Sequence, residues 1–162
     1  MEAFFPIQSH ACLQSFCILT HPILSSLFLS LPPLLSVLVK DGKVTGLLDF
    51  EFAAVDYRAM ELAVCLSKYA GEPKAKEYFD DFINGFMQHA HLTDEEIEAI
   101  PTLVILRILS NVAYFVGRKL AGEDDISSIT TRLENYMTRV DWVYANADAI
   151  ISKLKEEAKK PK

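Results

Sequence analysis

Charge is spread along this chain so unevenly that only part of it can form a water-facing domain. Residues 1–39 carry one formal charge, Glu2, while all 16 lysines and arginines and 21 of the 22 acids fall in residues 40–162. A folded domain needs charged side chains to cover its outside, so the domain is expected to begin near Ser36. From Cys12 to Leu31 the chain is uncharged and ends at Pro32-Pro33, a run long enough to span a bilayer. Against a span stand Gln14, the His21-Pro22 break and several hydroxyl side chains. Met1-Glu2-Ala3 lacks the positive start of a signal peptide, and no arginine is present for a transit peptide. Membrane attachment is therefore disfavoured. Three units are expected: residues 1–35, an apolar leader unrelated to the rest and disordered or non-native; 36–158, the domain; and 159–162, a tail.

A length of 162 residues suits a single domain with a real core. The net charge is −6 and no basic block is interleaved with aromatics, which argues against a nucleic-acid surface. The three cysteines, Cys12, Cys17 and Cys65, have no histidine or second pair at metal-ligand spacing. A reducing, cytoplasmic setting fits them, with Cys65 in the core.

Residues 36–50 read as two β-rich runs around Asp41-Gly42, the signature of a two-residue type I′ hairpin. A plain register opposes Lys40 to Lys43, Val39 to Val44, Leu38 to Thr45 and Ser36 to Leu47. Positions 36, 38, 40, 43, 45, 47 and 49 then share one face. Asp49 comes beside position 36 at the open end, where two oxygen ligands could hold Mg²⁺. An aspartate at a strand end can equally cap a turn.

From Tyr57 onward the pattern is helical. A first helix is expected over 57–70 with Gly71 at its stop, and a second opened by Pro73. The second carries the stripe Ala75, Tyr78, Phe79, Phe82, Ile83, Phe86, Met87 and Ala90, a core face. His89 and His91 are expected at the surface. Thr93-Asp94-Glu95-Glu96 is a capping box for a short helix. Pro101 is expected to start a separate helix to about Ala121, apolar nearly all round and therefore central. Its polar stripe, Arg107, Asn111, Tyr114 and Arg118, is either solvent-facing or the lining of a substrate cleft. Asp124-Asp125 begins a last helical region, continuous or with a break, clamped by Trp142 and Tyr144 and fraying from Lys153.

The segment Leu47-Leu48-Asp49-Phe50-Glu51-Phe52-Ala53, with Tyr57-Arg58-Ala59-Met60-Glu61-Leu62-Ala63 after it, resembles the aminoglycoside phosphotransferase and choline kinase family, which includes homoserine kinase-like enzymes. Those proteins carry an acidic motif of this form with a second acidic position about twelve residues on. The resemblance covers residues 36–158 and is strongest over 44–70. It implies a mainly α chain with a small β-hairpin, a protein-kinase-like C-lobe. It implies Asp49 as the ligand of Mg²⁺ on the ATP phosphates and Glu61 as the acidic brace of the catalytic loop.

Upstream the pattern departs from the family. The H-x-D-x-x-x-x-N loop should end where Ser36 stands, which puts Leu31 at the catalytic aspartate and Leu29 at the histidine. Leucine cannot accept a hydroxyl proton, and serine is a poor metal ligand. The first 35 residues also contain no lysine to serve a nucleotide-binding lobe. Such a C-lobe, without N-lobe or catalytic loop, is expected to bind ATP and Mg²⁺ unproductively, with no catalytic residue of its own. The family's acceptors are small alcohols or amino alcohols. An alternative role is a non-catalytic protein that pairs with a full-length homologue through an exposed C-lobe surface.

Overall fold

The computed structural model describes residues 28–29, 37–41, 43–47, 53–54 and 57–160. Among them lie four short strands, β1 (Phe28–Leu29), β2 (Val37–Lys40), β3 (Lys43–Leu47) and β4 (Ala53–Ala54). Four helices follow: α1 (Arg58–Tyr69), α2 (Ala75–His89), α3 (Asp94–Leu120) and α4 (Ile126–Ala158). The described chain is mostly helical.

β2 and β3 form the expected hairpin, and Asp41 has φ 52°, as the first central residue of a type I′ turn must. The register departs from the plain one after Val39–Val44. Leu38 pairs with Gly46 and Val37 with Leu47, so Thr45 is an extra residue on β3. The extra residue is a β-bulge, which bends the strand and moves every later pairing by one. Gly46 suits the site, because a Cβ there would come within 3.3 Å of the Leu38 side chain. Thr45 Oγ1 donates to the Leu38 carbonyl at 3.3 Å. Ser36 is therefore not the partner of Leu47.

β1 pairs antiparallel with β4, Phe28 with Ala54 and Leu29 with Ala53, so the hairpin is inserted between the two strands of a second ladder. β1 also lies against α1. Phe28 and Leu29 thus contact the domain from within the segment read as a leader.

The core sits among the four helices. It contains Leu62, Ala63 and Leu66 of α1, Phe79, Ile83 and Met87 of α2, Ile97, Ile100, Val104 and Ile108 of α3, and Val140, Val143, Ile150 and Leu154 of α4. α3 packs on α1 and α4, and α2 packs on the same two helices. Cys65 is buried, as its apolar surroundings imply. The α2 stripe faces inward as read, and Phe79 meets Trp142 edge-on at 4.8 Å. Tyr144 does not help to clamp α4: it is largely exposed.

Helix boundaries differ from the sequence expectation where packing outweighs local signals. Pro73 precedes α2 by two residues, because Ala75 donates to the Glu72 carbonyl and closes a turn first. Pro101 does not open a helix but sits inside α3. A proline there forfeits one helical hydrogen bond and costs about 3 kcal/mol. Yet Ile97, Ile100, Pro101, Val104 and Ile108 are buried along one unbroken face. Each aliphatic side chain on that face contributes about 1.5–3 kcal/mol by burial, so the face holds the helix together across the proline.

α4 likewise runs without a break and stays helical past Lys153. Leu154 is fully buried, and Glu157, itself buried, pairs with Lys153 at 2.9 Å and Lys160 at 2.6 Å. The start of α4 is capped by Asp125, whose Oδ1 accepts from the Ser127 amide at 2.7 Å.

Candidate functional site

Of the residues expected to bear phosphotransfer chemistry, the described ones are Leu29 and Glu61. Leu29 stands in β1 opposite Ala53 of β4, and everything from residue 30 to residue 52 leaves and returns through that pair. Ser36, Leu31 and Asp49 lie in this excursion, outside the described residues. Glu61 stands half-buried in the first turn of α1, four residues after Tyr57, where a carboxylate is favoured by the exposed amides and the helix dipole.

Lys40 and Lys43 face each other across the hairpin end and are exposed. Among the described residues no group of three or more His, Cys, Asp or Glu is placed to hold a metal ion.

The polar stripe of α3 is divided in use. Arg118 donates through Nε to Asp124 at 2.7 Å and pairs with Glu123 at 3.1 Å, closing the turn between α3 and α4. Those hydrogen bonds raise its pKa and lower that of Asp124. The guanidinium also lies 5.9 Å from the centre of the Tyr114 ring, which is otherwise exposed. Arg107 and Asn111 are half-buried farther along the same stripe. His89 and His91 are both exposed.

The polar contact that does organise this end of the molecule involves Arg58, immediately after Tyr57. Its Nε and Nη2 donate to the two carboxylate oxygens of Glu96, each at 2.8 Å. Glu96 also accepts from the Thr93 amide at 2.7 Å, while its own amide donates to Thr93 Oγ1 at 3.3 Å. The capping box of α3 is thus tied to the first residue of α1. The forked geometry suits arginine and carboxylate. The Arg58 hydrogen bond holds the Glu96 carboxyl below its usual range. The partners are 38 residues apart. The box itself is legible in the sequence; its arginine partner is not.

Comparison with known proteins bears on this same region. The profile of the phosphotransferase enzyme family matches residues 36–96, from the start of the hairpin to Glu96. Homoserine kinase of Gluconobacter oxydans (strain 621H) is 36% identical over 72 residues, covering 42% of this chain and 22% of that protein. Homoserine kinase of Beijerinckia indica subsp. indica is 35% identical over 71 residues, with 42% and 22% covered. That of Sinorhizobium medicae (strain WSM419) is 33% identical over 64 residues, with 38% and 20% covered. The chain spans about a fifth of the length of these curated relatives. No solved structure matches it.

Proposed function

We propose, on the premise that residues 36–96 are a segment of the phosphotransferase enzyme family, that this chain is the C-terminal part of an ATP-dependent kinase for a small alcohol. The observation that carries the reading is the acidic segment itself: Asp49-Phe50-Glu51, then Glu61, within the stretch similar to homoserine kinases. The relatives are named as homoserine kinases, so an amino alcohol or hydroxy amino acid is the acceptor class proposed for this chain. In this reading the chain adopts a kinase-like C-lobe. Asp49 holds Mg²⁺ against the nucleotide phosphates, and Glu61 steadies the loop that precedes the hairpin.

The chain by itself turns over slowly or not at all. Phosphoryl transfer depends on positioning the acceptor hydroxyl and neutralising phosphate charge. Leu31 at the counted base position has no lone pair with which to accept the hydroxyl proton. Ser36 at the counted position of the second metal ligand offers only a neutral hydroxyl.

The test is ATP turnover by the purified chain with Mg²⁺ and a panel of homoserine, choline, ethanolamine and an aminoglycoside. The expected result is background ADP release with every acceptor. Mg²⁺-dependent turnover that disappears in Asp49→Ala would refute the inactivity. Nucleotide binding that is unaffected by Asp49→Ala would refute the metal role.

A further inference from the structure

α1 begins without a capping side chain. Tyr57, at its N-cap, makes no side-chain cap hydrogen bond and is 76% exposed. The Met60 amide turns back to the Tyr57 carbonyl at 2.9 Å. Of Arg58, Ala59, Met60 and Glu61 only Ala59 is buried, and a single methyl group contributes little packing. A helix start of this kind frays unless something else holds it. Glu61 lies in this turn, half-buried, three residues after Arg58 and therefore beside it on the helix surface.

The start of α3 is built the opposite way. Its capping box closes in both directions, and Ile97 and Ile100 behind it are buried in the core. The Glu96 carboxylate is therefore held in place by its own helix. Arg58 reaches that fixed group with Nε and Nη2, both at 2.8 Å. Two parallel hydrogen bonds from a planar guanidinium set the orientation of Arg58 as well as its distance, which a lysine ammonium cannot do. α1 packs on α3, so the fork ties an uncapped turn to a capped one. Both partners lie within the span 36–96 matched by the phosphotransferase profile.

We infer that Arg58 is a positioning residue for the phosphotransfer site: its fork to Glu96 fixes the first turn of α1, and with it Glu61, against the start of α3. The role rests on the phosphotransferase reading, in which Glu61 steadies the loop that precedes the hairpin. Arg58 acts through Glu61 and not on nucleotide or acceptor. A bracing carboxylate works only where its backbone is held, to about 0.5 Å in a functional constellation. Three substitutions separate the parts of the device. Arg58→Lys keeps the charge and loses the fork. Arg58→Ala loses both. Glu96→Gln keeps an acceptor for the Thr93 amide and loses the ionic partner of Arg58.

Nuclear magnetic resonance on the isotope-labelled full chain tests this with two readouts, amide hydrogen exchange and titration with Mg²⁺·ATP. Arg58→Lys and Glu96→Gln should each speed exchange of the Glu61 and Leu62 amides about fivefold, the worth of one partly exposed charged pair. Arg58→Ala should do so at least as much, and the amides of Phe82 to Met87 in α2 should keep their rates. Arg58→Lys should weaken Mg²⁺·ATP binding by about the same factor as it speeds exchange. In a Glu61→Gln background the same substitution should change binding by less than about twofold, because the residue it acts through is already altered. A purely structural role would leave the two effects additive, and that result overturns the route through Glu61. Unchanged exchange at Glu61 and Leu62 in Arg58→Lys overturns the positioning itself and leaves the phosphotransferase reading standing. A wild-type chain that does not bind Mg²⁺·ATP overturns that reading, and the role of Arg58 falls with it whatever the exchange rates.

Discussion

α2 and α3 are both rich in apolar residues, but they stand in opposite relations to the core. α2 buries one stripe, Phe79, Phe82, Ile83, Phe86 and Met87, and turns Lys76, Glu77 and Asp80 to water. α3 buries one stripe and leaves a second apolar stripe outside. Periodicity identifies α2 fully, because an amphipathic helix has one place to put its greasy side. For α3, apolar content marks the need for partners without saying how many this chain supplies.

The sharpest test of that contrast uses adjacent residues on α3. Ile108 is 1% exposed and Leu109 is 43% exposed. Ile108→Ala is expected to destabilise the fold by about 2–5 kcal/mol, through lost burial and a cavity. Leu109→Ala should stay within about 0.5 kcal/mol. Urea unfolding of both variants checks this. Equal losses would mean that the outer stripe is packed within the chain, and the contrast with α2 would vanish.

The two helices are also positioned differently, which gives the next test. α2 has no side-chain cap, and its direction is set by the turn through Gly71, at φ 77°. A Cβ at this glycine would lie 3.5 Å from the Arg139 Cα, an ordinary contact, so the cost of a side chain is conformational. Gly71→Ala is expected to cost about 1–2 kcal/mol from the left-handed backbone alone. Arg139 Nη1 donates to the Lys68 carbonyl at 3.0 Å and holds the same turn against α4. A Tm for Gly71→Ala equal to that of wild type would show that the turn relaxes without loss.

What a sequence makes legible depends on range. The Asp41-Gly42 turn, the Thr93 capping box, the α2 stripe and the stop at Gly71 are local patterns, and the structure has them where the residues imply. The β-bulge at Thr45 is not local in that sense. It depends on Leu38 filling the space above Gly46 across the ladder. Pro101 reads as a boundary because the local cost is visible, whereas the buried face that outweighs it is packed against two other helices, α1 and α4. Lys153 reads as a fraying end because its charges are visible, whereas the burial of Leu154 and Glu157 is not. The acidic motif around Asp49 was legible from resemblance, and the matched span of residues 36–96 agrees with where that resemblance is strongest.

α3, unlike α2, is anchored at its start by polar groups, and the smallest expected effects test that anchor. The Arg58–Glu96 pair is partly exposed, with side chains 41% and 23% accessible, so solvent screening keeps its worth near about 1 kcal/mol. Arg58→Ala should cost about that much. Thr93→Ala should cost a similar amount by removing the cap acceptor.

The pH dependence has a definite sign. The Arg58 hydrogen bond lowers the folded-state pKa of Glu96 below the ordinary 4.5 of a glutamate. The unfolded chain therefore binds the proton more readily than the native one. The pair's contribution is fully present above about pH 4.5 and is lost as pH falls through the lower, folded-state value. Stability curves measured between pH 3 and pH 7 should show wild type losing more on acidification than Glu96→Gln, which cannot ionise. The gap between the two should close toward low pH. Parallel curves across that range would mean that Arg58 and Glu96 are not coupled in solution. α3 would then be held by its buried stripe and the Thr93 cap.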